Sequence, residues 1–121
     1  MKKSRHSELH FINNIQNLWH GNRAIFIPMN YTPIDLETLK NLITQPDVLL
    51  LDVREKTEFH DFNIGGTNVP SHEIMDHLDE MALYRKIIVV CSNGLRSRII
   101  ANVLTKKLPK CEILHLEEGI L

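Results

Sequence analysis

The sequence predicts an α/β domain with a mainly parallel central sheet of about four or five strands and helices on both faces. Three observations carry this expectation. Short apolar runs, Val48–Val53, Lys86–Val90 and Glu112–Leu116, alternate with stretches whose apolar residues recur at helical spacing. The first two runs are almost continuously apolar, as in strands covered on both faces. Polar or reactive residues, Asp52 with Arg54 and Cys91, follow at the carboxyl ends of those runs, the edge where open α/β sheets place their sites.

The chain has 121 residues, enough for one domain with an ordinary core and no metal or disulfide staples. Ser7 is placed to cap a helix reaching about Trp19, with Leu9, Ile12, Ile15, Leu18 and Trp19 on one face and His20-Gly21 ending it. Ala24–Pro28 reads as extended, and Pro28 and Pro33 keep the surrounding backbone out of helix. By composition, residues 1–30 form an N-terminal appendage and residues 31–121 the domain proper. Asp35 is the N-cap of a helix carrying Leu36, Leu39, Leu42 and Ile43, which stops before Gln45-Pro46. Val48–Val53 has the pattern of a central parallel strand covered on both faces. Gly65-Gly66 turns into a short strand over Thr67–Pro70. Ile74, Met75, Leu78, Met81 and Ala82 mark an amphipathic helix with Asp76, Asp79 and Glu80 on its wet side. After the strand Lys86–Val90, the residues Ile99, Ile100, Val103, Leu104 and Leu108 mark a second helix, ended by Leu108-Pro109, before the last strand Glu112–Leu116.

Lysine and arginine total 14 against 15 aspartate and glutamate, a formal net charge of −1, which gives no electrostatic case for nucleic acid or an anionic membrane. The basic start Lys2, Lys3 and Arg5 lacks the apolar run of a secretory leader, and no stretch approaches the roughly 20 apolar residues that span a bilayer. A cytoplasmic protein is expected. The two cysteines, Cys91 and Cys111, read as free thiols without a secretory context. The seven histidines show no zinc-type spacing, so they read as surface or singly hydrogen-bonded groups, with no metal and no cofactor expected.

The stretch Cys91-Ser92-Asn93-Gly94-Leu95-Arg96-Ser97 passes from a buried strand to a helix within a few residues. Gly94 supplies the permissive backbone, and such a loop turns successive N–H groups and the positive end of the helix toward the Cys91 sulfur. A thiol so placed gives up its proton more readily than a free cysteine, and the thiolate is the nucleophile. Arg96 is the main positive charge inside the loop, while Ser97 bonds a loop carbonyl or helps cap the helix. Asp52 and Arg54 read as a hydrogen-bonded brace holding the neighbouring loops and Glu58, in support of the chemistry rather than part of it.

Cys-x-x-Gly-x-Arg-Ser between strand and helix resembles the active-site loop of the rhodanese-like sulfurtransferases. So do Leu50-Leu51-Asp52-Val53-Arg54 with Glu58-Phe59, the segment Asn63–Pro70, and Leu116-Glu117-Glu118-Gly119-Ile120, in the family's order over roughly Tyr31 to Leu121. The resemblance implies the rhodanese fold and transfer of a sulfane sulfur through a Cys91 persulfide. The donor would be thiosulfate or a persulfide, and the acceptor cyanide, a thiol or a protein. Three departures stand out: Asn63 replaces the family's usual histidine, Glu118 the first glycine of a pair, and the terminal helix has no counterpart. A rhodanese-like binding or regulatory module without activity is the alternative. A cysteine phosphatase fits less well, because its loop needs Cys-x5-Arg and here four residues separate Cys91 from Arg96. Without a terminal helix, residues 7–27 are expected to cover the exposed sheet face, within one chain or by exchange in a homodimer.

Overall fold

A computed structural model describes residues 15–20, 23–28 and 30–121. The elements are β1 (Ile15–His20), β2 (Arg23–Pro28), β3 (Thr32–Ile34), α1 (Leu36–Leu42), β4 (Val48–Asp52), α2 (Lys56–Asp61) and β5 (Thr67–Asn68). A 3₁₀ helix (Ser71–His77) follows, then α3 (Leu78–Met81), β6 (Lys86–Val90), α4 (Leu95–Lys107) and β7 (Glu112–Leu116). Five strands form a parallel sheet in the order β3-β7-β6-β4-β5, while β1 and β2 pair separately as an antiparallel hairpin.

The register explains the layers. Leu50 pairs with Ile88 and Ile88 with Leu114, so their side chains share one face with Val48, Val90 and Leu116, packed on Leu39 of α1. The intervening residues Leu49, Leu51, Ile87, Val89 and Ile113 point to the other face. There they meet Ile100, Ala101 and Leu104 of α4 together with Ile74 and Met81. The same period of two puts Cys91 on the α4 side. Every residue of β4 is buried, as its apolar run predicts. Pro33 lies in an edge strand, where its missing N–H costs the ladder least. Asp35 caps α1 by accepting from the Thr38 N–H at 2.8 Å, the N-cap expected from sequence.

Some expectations are corrected. Ile15–His20 is a strand, not the end of a helix: Ile15 stands opposite Pro28 and His20 opposite Arg23, and this pairing overrides the helical spacing. Gly21-Asn22, between the two strands, is a hairpin signal that the helical reading passed over. Residues 7–14 of that helix lie outside the described residues, as does part of the segment 7–27 expected to cover the sheet. The predicted amphipathic helix around Ile74–Ala82 is a 3₁₀ stretch with one short α-turn, which buries Ile74 and Met81 and leaves Met75 exposed. In α4, Ile99 faces outward, and Ile100, Ala101 and Leu104 make the buried stripe. On the α1 face, Leu36, Ile43, Phe62, Ile64 and Ile120 help to line a groove of about 640 Å³. Among the described residues no helix is long and apolar enough to cross a membrane.

Candidate active site

β6 ends at Val90 beside Asp52 at the end of β4, so the loop after β6 and the polar end of β4 share the carboxyl edge of the sheet. The loop turns at Gly94, whose φ of 91° is a left-handed conformation favouring glycine. A Cβ there would strike the Glu117 carbonyl oxygen. Asn93 Oδ1 accepts from the Leu95 N–H at 3.1 Å, a local turn that leads into α4. The segment after β7 clasps the loop: the Ile120 N–H donates to the Cys91 carbonyl at 3.0 Å and the Leu121 N–H to the Ser92 carbonyl at 3.1 Å. Gly119 makes this approach possible, since a Cβ on it would meet Ser92 and Asn93 backbone. Glu118 is exposed and takes no part in that contact, so the substitution in the glycine pair leaves the close approach intact.

Cys91 is fully buried, and three donors converge on its Sγ: the Gly94 N–H at 3.2 Å, the Ser97 N–H at 3.3 Å and the Ser97 hydroxyl at 3.2 Å. Two of the three are backbone N–H groups, from Gly94 and Ser97 and not from successive residues as the sequence suggests, and the third is a side chain. Ser97 turns its hydroxyl onto the sulfur instead of bonding a loop carbonyl or capping the helix.

Arg96 is half-exposed and gripped by Glu58 of α2 in a bidentate pair, Nη1 to Oε1 at 2.7 Å and Nη2 to Oε2 at 2.9 Å. The hydrogen bonds from Arg96 and then the Glu55 N–H hold the Glu58 carboxyl at about 2, well below the carboxylate range, and the same pairing raises Arg96. Ser92 Oγ lies within 3.4 Å of Arg96 Nη2 and 3.5 Å of Glu58 Oε2. Asn93 and Leu95 expose their side chains.

The brace is present, but without Glu58. Arg54 and Asp52 are both buried and joined by Nε to Oδ1 at 3.0 Å and Nη2 to Oδ2 at 2.8 Å. Arg54 Nη2 also donates to the Phe62 carbonyl at 2.6 Å, tying down the chain after α2. Glu58 is committed instead to Arg96 and to the Glu55 backbone, because a capping box at the start of α2 aims its carboxylate at the loop. The sequence reading missed Asn68, which donates to both the Asp52 and Arg54 carbonyls at 3.0 and 2.8 Å, and it missed His115. His115 lies buried on β7 and bonds Ser97 Oγ through Nε2 at 2.7 Å. The signal was available in the alternation along Glu112–Leu116, which puts His115 on the same face as Ile113. Cys111 is a free thiol remote from the loop, its Sγ 3.9 Å from the Met81 carbonyl, and burial raises its pKa. Among the described residues no group of three or more His, Cys, Asp or Glu side chains is arranged to hold a metal.

A parallel α/β sheet with a buried cysteine at the floor of a strand-to-helix loop defines the class: α/β domains in which loop donors surround one cysteine sulfur. The family model of the rhodanese-like domain matches residues 35–121, and the chain belongs to that family. Comparison with curated proteins returns no match. Among solved structures the chain is similar to reduced Bacillus anthracis CoADR-RHD, with 24% identity and a TM-score of 0.65. That match covers 74% of this chain but only 16% of the longer one. It is similar to the human single-domain sulfurtransferase TSTD1, with 21% identity over 73% of this chain and 90% of that one and a TM-score of 0.59. It is also similar to a Rhodopseudomonas palustris protein described as a possible tyrosine phosphatase, with 20% identity over 68% of each chain and a TM-score of 0.57. At these identities the likenesses speak to the fold.

Proposed function

We propose that the protein is a sulfurtransferase in which Cys91 carries the sulfur. The convergence of three donors on Cys91 Sγ carries this reading, because the same ring suits a thiolate and the anionic end of a persulfide. In the first step the Cys91 thiolate attacks the outer sulfur of thiosulfate; a Cys91 S–S bond forms, and sulfite leaves with the electron pair of the broken bond. In the second, cyanide or a thiolate attacks the terminal sulfur, the S–S bond breaks, and thiocyanate or a new persulfide leaves while the Cys91 thiolate returns. A persulfide donor enters the same cycle with a thiolate as leaving group.

Arg96 would attract an anionic donor, in competition with Glu58 for its guanidinium. That competition favours one second reading, a module that binds without turnover because its cation is already paired. The phosphatase reading lacks such support: four residues between Cys91 and Arg96 make a loop tighter than a tetrahedral phosphate requires. A cyanide assay separates the readings. Thiocyanate formed from thiosulfate or a persulfide, lost in Cys91→Ser, is the sulfurtransferase outcome. A folded protein that forms none with either donor is a binding module, and efficient hydrolysis of phosphate monoesters would overturn the preference for sulfur.

A further inference from the structure

Behind the loop lies a second, wholly buried chain of polar atoms. Ser97 Oγ stands 3.2 Å from Cys91 Sγ and 2.7 Å from His115 Nε2, and all three residues have no exposed surface. The other ring nitrogen, Nδ1, is buried without a hydrogen-bond partner, although Glu117 Oε1 faces it at 3.6 Å. A buried polar atom left in this way calls for a reason.

Proton positions supply one. In the thiol state a neutral imidazole with its proton on Nδ1 accepts at Nε2 from the Ser97 hydroxyl, whose oxygen in turn accepts from the Cys91 S–H. Moving each proton one place along gives a thiolate receiving the Ser97 O–H and an imidazolium donating from Nε2. We infer that His115 receives, through Ser97, the proton that Cys91 releases, and holds it beside Glu117 while the sulfur acts as nucleophile. The Cys91 S–H bond breaks, Ser97 exchanges one O–H bond for another, and an N–H bond forms at Nε2, with no outside acid or base. His115 is a positioning residue, acting on the sulfur through Ser97.

The surroundings fit both states. Burial, the largest influence, pushes the imidazole below its usual range and Arg98 acts in the same direction, so the ring is neutral when the thiol is intact; Glu117 pulls the other way. Once the thiolate forms, the cation has Glu117 at one end and the relay to the anion at the other. Arg98 pairs with Glu117 at 3.7 Å, and the Tyr31 ring meets the imidazole edge-on, centroids 5.3 Å apart at 78°. With Cys91, these are the titratable groups facing His115 among the described residues.

The inference deepens the sulfur-carrier reading, but its test needs no sulfur donor, so the two can fail separately. In a Cys111→Ala background, the ultraviolet absorbance of the Cys91 thiolate is followed against pH, with the Cys91→Ser protein as blank and circular dichroism as the check of folding. Ser97→Ala is expected to raise the thiolate midpoint by about one pH unit or more, and His115→Gln by a similar amount. The double variant should add nothing further, because both changes cut one relay. Glu117→Gln, at a partly exposed position, should raise the midpoint by less. If His115→Gln does not fold, Ser97→Ala and Glu117→Gln decide the matter. An unmoved midpoint in either of those, or shifts that add in a folded double variant, would overturn the relay.

Discussion

Two buried polar clusters stand on neighbouring strands at one edge of the sheet, and they are built to opposite plans. At the end of β4, Asp52 and Arg54 close on each other through three side-chain contacts, Arg54 Nη2 also donates to the Phe62 carbonyl, and Asn68 Nδ2 donates to the Asp52 and Arg54 carbonyls. At the end of β6, Cys91 gathers three donors without a formal charge to match, and behind it His115 keeps one nitrogen without a hydrogen bond, with Glu117 at 3.6 Å. A satisfied cluster fixes geometry and gains nothing from a ligand. An under-satisfied one is a place where a charge can come and go. Under the proposed function, the difference would give the β4 end the task of holding the site and the β6 end its chemistry.

The largest effect expected is at the β6 end. Cys91→Ser should abolish sulfur transfer and leave the melting temperature close to that of the parent, since serine fits the space and the donors remain. At the β4 end the expectation reverses. Arg54→Ala strands the Asp52 charge in a fully buried site, a loss of about 3–5 kcal/mol measured by denaturant unfolding, and activity falls only as far as the folded fraction does. If Arg54→Ala stays folded with transfer abolished, the division between brace and chemistry is wrong.

Arg96→Ala comes next. It should slow turnover of thiosulfate more than that of a neutral persulfide donor, by roughly one to two decades for a charge-assisted contact of about 1.5–3 kcal/mol fully expressed in the transition state. Equal losses for both donors would make Arg96 a matter of loop geometry. Glu58→Gln sharpens the same point in the opposite sense, because it frees the guanidinium and should lower KM for thiosulfate. Glu58 also sets a pH dependence. Its folded pKa is depressed from 4.5 to about 2, so its contribution to stability is present above 4.5 and is lost as pH falls toward 2. The advantage of the parent over Glu58→Gln in thermal unfolding should disappear across that interval. The smallest effect belongs to Cys111→Ala, which removes a thiol far from the loop and should retain most of the activity.

What could be read from sequence divides along sequence separation. The strands around Leu50 and Ile88 were legible because each is a local apolar run, and the Cys91 loop because its cysteine, glycine and helix start fall within seven residues. The pairings that give the site its character were not. Arg96 meets Glu58 across 38 positions and Ser97 meets His115 across 18, and no local pattern announces either. The role of Glu58 was misplaced for that reason: the Asp52–Arg54 brace is nearly self-contained, and the free end of Glu58 turns to the loop. Ile15–His20 failed differently, since a strand whose only described partner is its own hairpin mate shows little of the apolar run that marks a sheet interior.

The most direct test of the account is the mass of the intact protein after exposure to thiosulfate or a persulfide donor. The expected result is a gain of one sulfur, located on Cys91, removed by cyanide and absent from Cys91→Ser. A sulfur carried equally by Cys111, or no gain with either donor in a folded protein, would contradict the claim that the donors around Cys91 exist to hold a persulfide.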